Sequence, residues 1–343
     1  MVPPMKRWQI FCYLAFAAGL SWLCFIHPTD NLDRFIYEAL VRGRVQPLEN
    51  VYPIVKHESP HTEASSVLDS PVSLGQLEPL YAIKPIYVEI IDLISRTGLT
   101  IQRSISLLSS LSLFGIAVLL LAWTRHPLYA ALLMANPEVL TPGRMGTPDA
   151  FSACVTLAAF LALIRNRLFL GLLLLLLSVW IRTDNVLLVV MTVGWLAWER
   201  KLTAVQALVL AATAAGSVVL IDRVSANYSW AVLFRFSFIA GKFPAQMASH
   251  VSLREYLRAF GVGLESAAPR LAIGFLFGAL AWSRQPQFRP LLMAIWIAAA
   301  SHFLLFPSPE TRYLLPTYLL SGCLFITAID SCDERRIFGT VAR

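Results

Sequence analysis

Apolar runs approaching twenty residues recur along the whole 343-residue chain, each close to the length of helix that crosses the hydrocarbon core of a bilayer. They fall near 8–26, 104–123, 128–141, 149–164, 168–181, 185–198, 203–221, 269–283, 290–306 and 313–329. Lipid offers no partner for an exposed backbone amide, so runs of this length select helices. The expected fold is an all-α polytopic membrane protein, with residues 1–343 forming one transmembrane domain of about ten helices. Only 14% of the residues are charged, against roughly 25% in an ordinary soluble domain, and 57% are hydrophobic, which excludes a water-soluble globule.

Basic residues in short connections orient such a bundle. Lys6/Arg7, Arg125, Arg165/Arg167, Arg200/Lys201, Arg284/Arg289 and Arg335/Arg336 share one side if the spans alternate. That side is expected to be cytoplasmic, with both termini in it. The other side receives the first outer loop, 27–103, the turn around 142–148, the Arg182-Thr183-Asp184 corner, a second long loop, 222–268, and the turn Pro307–Arg312. The first run begins after a basic segment, as a signal peptide does, but no small-residue cleavage pattern follows Phe25-Ile26-His27-Pro28, so it is read as an uncleaved span.

Several function classes lose their usual support. The net charge of +7 is explained by basic inner loops and calls for no nucleic acid. The five cysteines have neither disulfide-framework nor zinc spacing. Histidines 57 and 61 are four apart, but Pro60 argues against the helix that would align them on a metal. No Walker loop, dinucleotide fingerprint or HExxH helix is present.

The informative polar residues lie on the expected outer side. Only 21 residues are acidic, and two of them, Asp30 and Asp33, directly follow the first run, where a carboxylate at a membrane mouth needs a use or a partner. Residues 33–43 are expected to form an amphipathic surface helix, with Phe35, Ile36, Ala39 and Leu40 on one face and Thr29 or Asp30 capping its start. Residues 45–79 have no apolar period and are expected to be an extended loop. Order resumes at Tyr81, and Pro85 opens a second amphipathic surface helix; Lys84 sets a cation at its start, against the helix dipole, which implies a facing anion.

These elements resemble the GT-C membrane glycosyltransferases, the polyprenyl-phosphate-sugar-dependent group that includes protein O-mannosyltransferases and lipid A aminoarabinose transferases. Asp33, Tyr37, Ala39, Leu40 and Gly43 match the spacing of that superfamily's first outer loop. Lys84-Pro85, Arg103 at the start of the next span, Gly146-Thr147-Pro148-Asp149 and Arg312-Tyr313-Leu314-Leu315-Pro316 match further short motifs. The resemblance implies a GT-C-like bundle in a membrane such as the bacterial cytoplasmic (inner) membrane. It also implies sugar transfer, with inversion, from a polyprenyl-phosphate donor to a hydroxyl of a lipid, glycan or protein acceptor on the outer face.

Such a transfer needs a base for the acceptor hydroxyl and cations for the departing phosphate. Asp33 is the first candidate for the base, with a pKa expected to be raised by desolvation near the headgroups; Asp30 is a second candidate or a helix cap. Asp149 either caps a span or orients substrate or a divalent metal, Mg²⁺ or Mn²⁺, with Arg144 nearby in sequence. Arg182 either pairs with Asp184 across a tight corner or binds phosphate. Arg312, between Glu310 and Tyr313, presents a forked guanidinium suited to phosphate oxygens, or else snorkels to headgroups. Lys84, Arg103 and Lys242 complete the candidate phosphate set, and Tyr37, Arg144, Glu310 and Tyr313 the candidate substrate contacts. The aromatics of 222–268 form either an interfacial belt or a grip for the polyprenyl phosphate. A transporter or lipid flippase, or a non-catalytic assembly subunit, remains an alternative; transport favours ionisable groups at mid-membrane on broken helices.

Overall fold

The computed structural model describes residues 6–59, 68–239, 243–308 and 310–339. Among them every regular element is helical. Six helices are long and apolar enough to cross a membrane: Arg7–Ile26, Ile101–Thr124, Ala204–Val224, Leu253–Arg284, Pro286–Leu305 and Arg312–Ile329. Three shorter apolar helices, Pro148–Ile164, Leu168–Ile181 and Thr183–Trp198, pack among them.

The expected span 128–141 is not one helix. It is split into α7 (Pro127–Met134) and α8 (Pro137–Arg144), each eight residues long, because Pro137 cannot continue a helix and Asn136 turns its side chain to cap the second one. The expected border at 268/269 also moves. Helix α14 runs unbroken from Leu253 through Pro269 to Arg284, started by a Ser252–Glu255 capping box.

The core of the bundle is built on α6 (Ile101–Thr124), α9 (Pro148–Ile164), α10 (Leu168–Ile181) and α16 (Leu315–Gly339). Helix α6 buries Leu113, Ile116, Ala117 and Leu120 against α1 (Arg7–Ile26) and α9. Helix α12 (Ala204–Val224) buries only Ala214 and Ile221 and leaves Val205, Leu208, Val209, Val219 and Leu220 exposed. An apolar helix exposed in this way requires lipid as its solvent.

One end of the bundle carries a helical cap built from the first polar stretch. Helices α2 (Leu32–Arg42), α3 (Leu48–Glu58) and α4 (Pro71–Ala82) bury Phe35, Ile36, Val51, Val55, Leu74 and Leu77 together. The expected extended loop 45–79 is thus helical over most of its described length, with residues 60–67 outside the described set. Val51 and Val55 lie one turn apart, and Ser70-Pro71 supplies a cap with proline at the first helical position. Helix α2 is correspondingly enclosed rather than lying on a surface: seven of its 11 residues are buried, Arg34 and Glu38 included. Helix α5 (Pro85–Ser95), as expected, follows Pro85 and buries Tyr87, Val88 and Ile91 against α2 and α6.

Two close approaches seat turns against helices of the bundle. Gly146 has φ +64°, and a Cβ there would meet Ile105 Cγ2 at 2.8 Å, so only glycine lets the turn before α9 sit against α6. A Cβ on Gly263 of α14 would collide with the Pro307 carbonyl, which seats the turn between α15 (Arg289–Leu305) and α16.

Candidate functional site

Asparagine 31 caps α2: its side chain accepts from the Arg34 amide at 2.9 Å and its Nδ2 donates to the Met145 carbonyl at 2.6 Å. The Thr29 amide donates to the Arg144 carbonyl at 2.8 Å. These bonds pin the start of α2 on the turn before α9 and turn Asp33 inward. Neither expected cap is used, because Asp30 instead pairs with Arg34 at 2.9 Å and stays 59% exposed, outside the cluster described next. Arg144 likewise serves the anchor, its Nε donating to the His27 carbonyl at 3.0 Å.

Asp33 begins a string of alternating charges assembled from distant parts of the chain. Its Oδ1 accepts from the Tyr81 hydroxyl at 2.6 Å and its Oδ2 from Arg312 Nη1 at 2.7 Å. Arg312 Nη1 stands 3.8 Å from Asp149 Oδ2, whose Oδ1 is bound by Arg182. Arg182 also grips Asp184 with both Nε and Nη2, and Asp184 faces His302 Nε2 at 2.9 Å. Arg182 and Asp184 therefore pair, as one expectation had it, but the pair is continuous with Asp149 rather than confined to its corner. Thr147 Oγ1 donates to Asp149 at 2.5 Å, and the N-terminus of α9 favours a carboxylate in its first turn.

Tyr313 organises the cations. The Arg182 and Arg312 guanidiniums lie 4.9 and 5.1 Å from its ring centroid, and the His302 ring stacks on it at 5.8 Å. Glu310, two residues before Arg312, closes the rim with an ion pair to the Arg312 guanidinium. Tyr37 is fully buried, its ring edge-on to Tyr81 at 5.3 Å and to Tyr87 at 4.9 Å. Lys84 Nζ sits 5.1 Å from the Tyr81 centroid and 6.0 Å from that of Tyr37, donates one hydrogen bond to the Leu80 carbonyl at 3.0 Å, and makes no ion pair among the described residues.

Electrostatics reverse one expectation. Burial alone would raise the Asp33 carboxyl, but the Arg312 charge, the Tyr81 and Arg312 hydrogen bonds and the Lys84 charge together hold it below the usual range. Desolvation acts in the same place on Lys84 and wins, despite the attraction of Asp33, bringing the amine down to about 8. Burial and the neighbouring Asp33 carboxylate push the Tyr37 and Tyr81 hydroxyls up, so both remain neutral hydrogen-bonding groups.

Besides Asp30 and Arg144, two further candidates are not brought in. Arg103 stands exposed in the first turn of α6 and joins none of these pairs, and Lys242 lies outside the described residues. The aromatics of the second polar stretch stack on one another, Phe234 against Trp230, Phe238 and Tyr256, and on Phe306 through Phe238. Tyr81, Asp184 and His302 are members that sequence reasoning did not assign to the site. The signal for Asp184 was its adjacency to Arg182 inside an apolar corner, and Tyr81 follows Asp33 on the next ordered segment; His302 had none beyond being a lone polar group near a span's end.

Beside the string a cavity of about 30 Å³ is lined by Asp184, Asn185, Leu188, Ala299, His302 and Tyr313. Among the described residues no three His, Cys, Asp or Glu side chains converge as a metal site. Asp33, Asp149 and Asp184 face guanidinium partners instead, so this donor set fits salt bridges better than a divalent ion. Comparisons with protein families, with curated proteins and with solved structures found no match to this chain.

Proposed function

We propose that the chain is a GT-C-type glycosyltransferase that moves a sugar from a polyprenyl-phosphate donor to an acceptor hydroxyl at the outer membrane face. The observation that carries this reading is the meeting of Asp33, Lys84, Asp149 and Arg312, drawn from four separate segments, at one end of an apolar bundle. Carboxylates, an amine and a guanidinium beside the membrane surface are the groups this chemistry uses.

In this mechanism Lys84 and Arg312 take the donor phosphate, Arg312 as a fork and Lys84 as a compact charge with spare hydrogen-bonding capacity. The negative charge of the bound phosphate offsets part of the Arg312 pull on Asp33, and the proton affinity of Asp33 rises toward that of a useful base. The acceptor O–H bond then breaks with its proton passing to Asp33, and the oxygen bonds to the anomeric carbon. The bond from that carbon to the phosphate oxygen breaks with its electron pair leaving on the polyprenyl phosphate, inverting the centre. Asp149 fixes Arg182 and Arg312 relative to each other, and Tyr37 and Tyr313 wall the site. The fold is a GT-C-like bundle in which α7 and α8 cross together as a broken pair beside the nine apolar helices, with both termini cytoplasmic. Charges gathered at one end rather than at mid-membrane favour an active site opening to the surface over a transport path.

The test is transfer in proteoliposomes from a panel of labelled polyprenyl-phosphate sugars. Wild type is expected to consume at least one donor, Arg312→Ala to lose donor use and Asp33→Asn to retain donor binding without transfer. Full activity in Asp33→Asn removes the base assignment, and protein-dependent passage of substrate across the bilayer with no donor consumed replaces transfer by transport.

A further inference from the structure

Every guanidinium in the charge string is already held by carboxylates. Arg182 faces Asp149 and Asp184; Arg312 faces Asp33, Asp149 and Glu310. An arriving phosphate can therefore bind Arg312 only by displacing a carboxylate, and the three candidates differ sharply in what their release costs. Asp149 is 3% exposed and is also held by Arg182 and Thr147. Asp33 is 20% exposed and is also held by Tyr81. Glu310 is 48% exposed, and its carboxylate has no partner other than Arg312 among the described residues. Releasing a half-exposed carboxylate to water costs little, whereas stripping a buried one of its cation costs much more.

The contact with Glu310 also differs in kind. The glutamate oxygen approaches Arg312 Nε closely, yet that N–H has no properly directed hydrogen-bond acceptor and is buried. Charge holds the pair together while one donor on the guanidinium is left unused. The backbone makes the glutamate a short-range tether: its amide donates to Ser308 Oγ at 3.2 Å and its carbonyl accepts from Tyr313 N at 3.5 Å, so the carboxylate can leave the guanidinium without unfolding the turn.

We propose that Glu310 is an exchangeable counter-ion that occupies, on Arg312, the place taken by the phosphate of the donor. This rests on the donor-phosphate reading of the site. The glutamate keeps Arg312 neutralised when no substrate is bound, and a phosphate oxyanion replaces it, taking up the undirected Nε–H as a full hydrogen bond. Glu310 thereby sets donor affinity by competition. An intramolecular competitor lowers apparent affinity by the fraction of time it leaves the site open, and an ion pair at the upper end of the partly exposed range leaves it open about one fifth of the time.

The experiment uses the full-length protein in lipid nanodiscs, with farnesyl monophosphate and inorganic phosphate as separate probes. Glu310→Gln removes the charge from an exposed side chain and is expected to bind farnesyl monophosphate about fivefold more tightly than wild type, with the gain seen in KM for donor rather than in kcat. Arg312→Gln abolishes binding in both backgrounds. A gain confined to farnesyl monophosphate assigns the lipid-linked source, and an equal gain with inorganic phosphate assigns the phosphate group alone; either sustains the exchange. Unchanged or weaker binding by Glu310→Gln, with wild type binding and Arg312→Gln not, overturns the exchange and leaves the donor site standing. Binding that Arg312→Gln retains, or that neither wild type nor Glu310→Gln shows, overturns the donor-phosphate reading and the exchange with it.

Discussion

Helix α2 carries two carboxylate clusters on separate faces, and their carboxyls are driven in opposite directions. On one face Asp33 meets Arg312, Tyr81 and Lys84, and is held below the usual carboxylate range even though it is buried. On the other, Glu38 and Glu58 share Gln102, whose Nε2 donates to both at 2.9 and 2.5 Å, while Arg42 sits 2.6 Å from Glu38 and 3.8 Å from Glu58. Burial, then the hydrogen bond and charge of Glu38, push Glu58 up to about 7. Supply of donors separates the two. Asp33 has a donor for each oxygen, whereas two glutamates divide one guanidinium and one amide. The first cluster gathers residues from across the chain around aromatic walls and a cavity; the second ties the end of α3 to α2 and α6. On the reading of the first cluster as a reacting site, this is what separates it from a structural clasp, since both are rich in the same residue types.

The largest expected effect tests that distinction by charge removal on each face. Asp33→Asn should lower kcat for sugar transfer by about 10²–10⁴-fold, the range for loss of a general base, while Glu38→Gln should leave kcat close to that of wild type. A loss in Glu38→Gln as large as that in Asp33→Asn, with the protein still folded, would break the comparison.

The next effect is on stability. Arg182→Met leaves the buried Asp149 and the partly exposed Asp184 without their shared cation, and breaking a buried pair such as Arg182–Asp149 costs about 3–5 kcal/mol. Arg42→Met should cost less, because Arg42 is 23% exposed and Gln102 still bonds both glutamates. Thermal unfolding of both variants in the same nanodiscs, at one heating rate, ranks them; equal losses would place the two clusters in one class.

What the sequence could and could not disclose follows the same division between near and far. The apolar runs gave the membrane class, and local patterns marked Asp33, Tyr37, Lys84 and Arg312-Tyr313, since each depends on spacing within one or two helical turns. The partner of Asp33 lies 279 residues away, and no local pattern encodes such a pairing. Arg103 rests on its place at the start of a span and Lys242 on charge among aromatics, and neither signal carries information on direction. The pKa of Asp33 was misjudged for the same reason: burial was legible from its position, whereas Arg312 and Tyr81 became its partners only through packing. In 45–79 the polar residues hid two helices whose buried positions, Val51/Val55 and Leu74/Leu77, had helical spacing within a hydrophilic background. The break at Asn136-Pro137 was legible as a cap followed by proline, and run length alone obscured it.

A pH series sharpens the comparison on the side of the proposed transfer site. The protonated Lys84 amine is the form that attracts phosphate, and desolvation brings it down to about 8. Its positive charge is present below that value and lost above it, so kcat/KM for donor should fall about tenfold per pH unit above pH 8, a profile that reports the free enzyme. Asp33, held low, stays ionised through the neutral range and should add no acidic limb near neutrality. Lys84→Arg keeps the charge at every accessible pH and should flatten the alkaline limb at some cost in rate from the bulkier group. An alkaline limb unchanged in Lys84→Arg would assign the titration to another residue.

The smallest effect belongs to the clasp, and its sign is opposite to that of the Asp33 face. Glu58 has a folded-state pKa of about 7 against an unfolded value of 4.5, so the folded protein holds its proton more tightly than the unfolded chain. That contribution to stability is fully present below pH 4.5 and is lost as pH rises through 7. Asp33, with a depressed pKa, contributes stability above the usual carboxylate range and loses it only as pH falls through its lower folded value. Between pH 5 and 8 the two therefore separate: the Asp33 contribution is constant while the clasp loosens. Glu58→Gln cannot titrate, and its amide can donate to Glu38 as the protonated acid does. It should remove the loss of stability across pH 5–8 while leaving the alkaline limb of transfer set by Lys84 in place. Hydrogen exchange at the end of α3, measured at pH 5 and pH 8, reads the clasp directly. Protection that falls with pH in wild type and stays constant in Glu58→Gln confirms the clasp, and protection that is flat in wild type removes the carboxyl pair from any role in holding α3.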